Sequence, residues 1–243
     1  MNKTFIFDLD DTLIYTAYHY SHAQLKFAKF IIDTLGPRSP NADTILDMEV
    51  ARDMELVKEK GLTIDRFPRS FSDTYLTIAK KMKIDTRRAE DEAKQAYKIG
   101  EEVFNQNSWG KELIPHARQT LDFLVAQKDE LYLLTAGDES LQRKKIGFYN
   151  LPNWFGDKTF VTPNHKKEKI LEISSSRDKK NVWFVGNSIR SDINPALESG
   201  IGAVYIPFES WEFDQGKLDE NHNRLVTLEN IRDFPKIYFS KLS

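Results

Sequence analysis

A short apolar run, Thr4 to Phe7, ends in Asp8-Leu9-Asp10-Asp11, and no second strand-like run follows it for roughly 95 residues. That interruption limits the possible folds more than any other feature. Stretches such as HAQLKFAKFIIDTLG and RAEDEAKQAYKIGEEVF repeat apolar residues at helical spacing, with Gly36-Pro37 and Gly61 as breaks. Strand-like runs then return at 131–135, 158–161, 181–186, 203–207 and 224–228. Helical segments alternate with them: ARQTLDFLVAQ, SLQRKKIGFYN, HKKEKILEISS and PALESG. Such alternation predicts an α/β fold, with a mostly parallel sheet flanked by helices. The helical block reads as an inserted second domain. The expected division is an α/β core of 1–14 and 113–243 around a helical insert of 15–112.

The 243 residues provide ample material for a buried core. A net charge of -2 points to neither a nucleic-acid nor a membrane binder. There is no cysteine, which excludes disulfides and thiolate metal sites and fits a cytoplasmic location. No apolar run approaches the roughly 18 residues that a membrane helix requires.

Four segments carry candidate chemistry, each at a predicted strand end or helix start, where open α/β sheets bind ligands. Asp8 and Asp10, two positions apart after a buried strand, can both reach one site if the chain bends. Thr135-Ala136-Gly137 offers a hydroxyl and backbone N–H groups for an anion. His165-Lys166-Lys167-Glu168-Lys169 places ammonium groups at a helix start. Gly186-Asn187 through Asp192 presents an amide oxygen and a carboxylate, the hard oxygen donors that Mg²⁺ requires. Taken singly, each is also an ordinary turn or solvated helix end. Their order and placement together distinguish them.

In that order the segments resemble the motifs of the haloacid dehalogenase superfamily, over about residues 1–14 and 113–210. Asp8-Leu9-Asp10-Asp11-Thr12 is similar to the first motif, Thr135 to the second, and Lys166, with Lys167 as the near alternative, to the third. Gly186-Asn187 through Asp192 is similar to the fourth, except that Asn187 stands where the family usually has an acid. FVGNSIRSDINPALESGIGAVYIP is the most family-like stretch, and the helical insert matches the family's cap in position and character.

The resemblance implies a Rossmann-like sheet with an α-helical cap and a Mg²⁺-dependent phosphohydrolase acting on a small phosphorylated metabolite. Asp8 would be the nucleophile and Asp10 the general acid and base. Thr135 and the Ala136 N–H would hold phosphate oxygens, and Lys166 would balance charge. Asp8, the Asp10 carbonyl, and Asp192 or Asn187 would ligate the metal. A dehalogenase, a phosphomutase and a non-catalytic binding protein are the alternatives. Asp10 counts against the first, because halide leaves without a proton. Within the insert, Arg66 and Arg69 are candidate anion-binding residues, and Tyr15, Tyr18 and His19 are candidates near its start. His116 and His165 read as surface residues. Trp211, Phe213 and His222 carry no recognisable motif.

Overall fold

The computed structural model describes residues 2–208 and 216–242; Trp211 and Phe213 lie outside the described residues. The chain divides into two compact units, Met1–Ala17 with Gly110–Ser243 and Tyr18–Trp109. The second unit is built from α1 (Ala17–Leu35, whose first residue belongs to the other unit), α2 (Ala42–Lys60), α3 (Arg66–Lys81) and α4 (Thr86–Glu101). Asn41 and Asp85 start α2 and α4 by accepting from the N–H groups of Thr44 and Arg88, which would otherwise lack partners. Phe27, Ile31, Phe71, Tyr75 and Ile78 form the core, with the Phe27 and Phe71 rings stacked 4.3 Å apart. The inward face of α4 is small, with Ala89, Ala93, Ala96 and Gly100. This lets α3 pack close: a Cβ at Gly100 would lie 2.6 Å from Pro68 Cα.

Among the described residues the α/β unit holds six strands: β1 (Thr4–Phe7), β2 (Glu130–Ala136), β3 (Thr159–Thr162), β4 (Val182–Gly186), β5 (Gly202–Tyr205) and β6 (Leu225–Thr227). They form one sheet in the order β3-β2-β1-β4-β5-β6, with every pair parallel. Its helices are α5 (Ala117–Ala126), α6 (Glu139–Phe148), α7 (Pro152–Phe155), α8 (Lys167–Ser174), α9 (Asn194–Glu198) and α10 (Phe234–Tyr238). Strands β1 and β4 are buried on both faces, as their unbroken apolar runs require. On one face Phe5 and Phe7 pack against Phe234 and Phe155; on the other, Ile6 joins Phe184, Ile170 and Ile193. Edge strand β3 begins at Thr159 rather than 158, and β5 ends at Tyr205 rather than 207. The strand order reverses between β1 and β4, and a crevice at their carboxyl ends is the place such sheets use for ligands. Among the described residues, no helix is long and apolar enough to cross a membrane.

Candidate active site

Strand β1 is flanked by β2 and β4, with Phe7 opposite Leu133 and Val185. The Asp8 N–H still donates to the Val185 carbonyl at 2.9 Å, so Asp8 is held on the last rung of the ladder. The chain then turns back on itself. Leu13 and Ile14 N–H groups donate to the Leu9 carbonyl, and Asp11 takes a left-handed φ of 56°. The Asp11 carboxylate accepts from the Thr16 and Ala17 N–H groups at 2.8 and 3.0 Å. It thereby caps the start of α1. The bend separates the surroundings of Asp8 from those of Asp10.

Asp8 is buried and accepts from Lys166 Nζ at 2.5 Å; the same ammonium donates to Asp192 at 2.7 Å. Lys166 sits at the residue before α8, with its side chain buried. Lys167 points to solvent and pairs with Glu198. Geometry therefore selects Lys166 of the two lysines as the partner of Asp8. Asp192 lies in a single wide turn of π geometry, Ile189–Ile193, and its second oxygen accepts from the Ser188 N–H at 3.0 Å. Gly186 permits this: a Cβ there would lie 2.4 Å from the Asp192 carboxylate. Asn187 is buried beside it, and its amide oxygen accepts from the Thr12 hydroxyl at 3.0 Å.

Asp10 has a different set of partners, which the sequence reading does not contain. Lys145 donates to one carboxylate oxygen at 2.7 Å, and the Thr16 hydroxyl donates to the same oxygen at 2.5 Å. Gln142 Nε2 lies 2.8 Å from the other oxygen. That nitrogen is also 2.6 Å from the Thr135 hydroxyl and 3.2 Å from the Ala136 carbonyl. Thr135 is buried near the end of β2, and Ala136 is that strand's last residue, opposite Thr162. A signal for Lys145 and Gln142 does exist in the sequence. Leu141, Ile146 and Tyr149 set the inward face of the segment, and at about 100° per residue positions 142 and 145 fall within that arc. Arg143 and Lys144 fall outside it and are exposed.

Charge explains how the acids behave. Burial pushes the Asp8 carboxyl well above the usual range; Lys166 pulls it down, while Asp192 and Asp10 push it further up. Burial opposes a charge on Lys166, but Asp192 and Asp8 outweigh it and hold the ammonium protonated. Burial would also raise Asp10. There the Lys145 ammonium, with hydrogen bonds from Lys145, Thr16 and Gln142, overcomes it and holds the carboxyl below its ordinary value. The first acid shares its one ammonium with Asp192, and the second has Lys145 beside it.

The remaining candidates separate. Arg66 is buried within the helical unit and donates to buried Asp53. Arg69 is half-buried and pairs with Asp65 at 2.8 Å. Tyr15 and Tyr18 are exposed, and His19 is half-buried. His116 and His165 are exposed, as expected. His222 is half-buried, and its Nδ1 accepts from the Arg224 N–H.

No family model matches the chain, and no curated protein does. Solved structures do. A haloacid dehalogenase-like family hydrolase from Xanthomonas campestris superposes with a TM-score of 0.73 at 20% identity, over 98% of this chain and 91% of that one. A 2-haloacid dehalogenase from Pseudomonas syringae gives 0.56 at 18% identity, over 98% and 99%. A HAD phosphatase from Thermococcus onnurineus gives 0.56 at 18% identity, over 99% and 100%. The likeness extends over nearly the whole length of each pair, and this chain has the fold of the haloacid dehalogenase superfamily.

Proposed function

We propose that the protein is a Mg²⁺-dependent phosphohydrolase that cleaves a small phosphate monoester through an aspartyl-phosphate on Asp8. The observation that carries this reading is the pair of acids after β1, held in unlike surroundings: Asp8 by Lys166, shared with Asp192, and Asp10 by Lys145 and Gln142. Two carboxylates whose environments separate them can take two roles.

In this reading an Asp8 oxygen attacks phosphorus and the ester P–O bond breaks. Lys166 offsets the negative charge gathered on Asp8 and the phosphate. Thr135 and the Ala136 N–H hold phosphate oxygens. Asp10 passes a proton to the departing alkoxide, then takes one from the water that hydrolyses the acyl phosphate. Its ionised state in the structure suits the second task directly. The first task needs a proton that arrives with the substrate, because a phosphate anion beside Asp10 raises that carboxyl's hold on a proton.

The donor set fits a magnesium ion. Asp8 and Asp192 are two buried carboxylates sharing one ammonium, and the surplus negative charge is part of what pushes Asp8 upward. Their oxygens, the Asn187 amide oxygen and the Asp10 carbonyl would hold the ion. Among the described residues no three acids or histidines cluster as a metal site, so this donor set is two carboxylates with an amide and a backbone oxygen. When bound, Mg²⁺ supplies charge neutralisation between Asp8 and the phosphate. A protein from Bacillus subtilis of the same fold, at 16% identity, is bound to magnesium. The phosphatases and dehalogenases of this fold leave the substrate class to the site, and Asp10 favours an oxygen leaving group over halide. In this reading the helical unit chooses the substrate, and the lack of cysteine suits the cytoplasm.

The test is turnover of 4-nitrophenyl phosphate with Mg²⁺. Asp8→Asn should lose activity by at least about 10³-fold, with its circular dichroism unchanged, since an amide is a poor nucleophile. Activity within about tenfold of wild type in a clean preparation would remove Asp8 from the role.

A further inference from the structure

Helix α6 presents Gln142 and Lys145 on one face, three residues apart, while Arg143 and Lys144 between them face solvent. Both inward side chains are nearly inaccessible, Gln142 at 2% and Lys145 at 7% exposure. An apolar residue would serve folding at either position with less loss of hydration. The Gln142 carbonyl oxygen is buried and has no hydrogen-bond partner among the described residues, a penalty that leucine would avoid. What the two polar groups accomplish is visible at Asp10. Lys145 takes one carboxylate oxygen and Gln142 lies against the other, so the plane of the carboxylate is set from both sides. Gln142 also reaches the Thr135 hydroxyl at 2.6 Å.

We propose that Lys145 and Gln142 are positioning residues: from one face of α6 they fix the Asp10 carboxylate and tie it to the Thr135 hydroxyl. A single helix thereby sets both the proton-transfer group and the hydroxyl that holds the phosphate. The proposal rests on the hydrolase reading above, and it assigns these side chains no bond to substrate. Its consequence is selective. Misorienting Asp10 weakens protonation of the leaving oxygen, which matters for a poor leaving group and hardly matters for nitrophenolate.

The experiment compares kcat/KM for phenyl phosphate and 4-nitrophenyl phosphate, with Mg²⁺, in Lys145→Met, Lys145→Arg and Gln142→Leu. Each substitution is made in the wild-type and Asp10→Asn backgrounds, with a thermal melt as the check on folding. Lys145→Met should lower the phenyl phosphate value by at least about 30-fold and the nitrophenyl value by no more than about threefold; Gln142→Leu, which also frees Thr135, should lower both, the phenyl value by at least about tenfold more. Lys145→Arg should recover most of the loss. In the Asp10→Asn background Lys145→Met should cost less than about threefold and Gln142→Leu should lower both substrates equally, because the proton-transfer group they position is already gone. Should Lys145→Met fail to fold, Lys145→Arg and Gln142→Leu decide the matter by the same ratio. Equal losses on both substrates in the wild-type background, or a Lys145→Met loss that multiplies with that of Asp10→Asn, would overturn the positioning role and leave the hydrolase reading intact. A wild-type enzyme inactive on both esters would overturn the hydrolase reading and this proposal with it.

Discussion

Gly186 shows how one missing atom can shape a site. Strand β4 ends there, and the chain must let the Asp192 carboxylate fold back against the backbone to meet both the Ser188 N–H and Lys166. Any Cβ would overlap that carboxylate, at 2.4 Å from its oxygen. Gly186→Ala should therefore displace Asp192 while leaving Asp8, Lys166 and Asp10 chemically intact. If Asp192 helps to hold the metal, the Mg²⁺ concentration for half-maximal activity should rise by about 10- to 100-fold, the usual scale for losing support at a metal ligand. Titration of activity against Mg²⁺ checks this. An unmoved curve would place the ion away from Asp192. Asn187 bears on the same question, because an amide contributes an oxygen but no charge to the ion's surroundings.

Among the elements, α2 and α3 contain a buried polar cluster unrelated to Asp8. Glu49 is fully buried and meets Gln24 Nε2 at 2.7 Å and Ser70 Oγ at 2.6 Å. Ser70 Oγ is also 2.7 Å from the Phe67 carbonyl. A hydroxyl has one hydrogen and cannot donate to both. A protonated Glu49 resolves the conflict by donating to Ser70, which then donates to Phe67. Burial pushes the Glu49 carboxyl to about 7, with Ser70 pulling it down and Asp53 pushing it up. The folded state thus holds a proton that the unfolded chain releases near the ordinary glutamate value of about 4.3. Stability from this group is fully present below that value and is lost as pH rises through about 7. Glu49→Gln, neutral at every pH, should be less sensitive. Between pH 5 and pH 8 the wild type should lose on the order of 2 kcal/mol more unfolding free energy than the variant. Urea denaturation at the two pH values measures this, and parallel losses would mean that Glu49 is ionised throughout.

For the whole molecule, the two units carry separate cores: an aromatic and alanine-rich helical one, and a sheet packed on both faces. The candidate metal donors all belong to the α/β unit, at the ends of β1 and β4 and in the turn after β4. Binding there should stabilise that unit by mass action, about 2.7 kcal/mol at a hundred times the dissociation constant. Amide exchange should slow in β1 and β4 when Mg²⁺ is added, while α2 and α3 keep their rates. Uniform slowing across both units would show that they open as one; no slowing anywhere would argue against a site at Asp8 and Asp192.

The alternation of strands and helices, the helical block after the first strand, and the acids at the end of β1 can all be read along the chain. Apolar periodicity and strand-terminal carboxylates are local, and local order along the chain records them. The residues gathered around Asp8 were likewise legible, because each follows a strand or starts a helix in a fixed order. Which charges pair depends instead on packing in three dimensions, and the folded chain sets it. It chose Lys166 over Lys167 through one side chain's direction at a helix start. It committed Arg66 to Asp53 inside the helical unit, a pairing between helices that no spacing within α3 reveals. It brought Lys145 and Gln142, more than 130 residues along the chain, onto Asp10. A run such as Gln142-Arg143-Lys144-Lys145 is polar throughout, and polarity alone does not say which face turns inward. The packing of Leu141, Ile146 and Tyr149 sets the helix's rotation, and that rotation turns two of four similar side chains into partners of a half-buried acid.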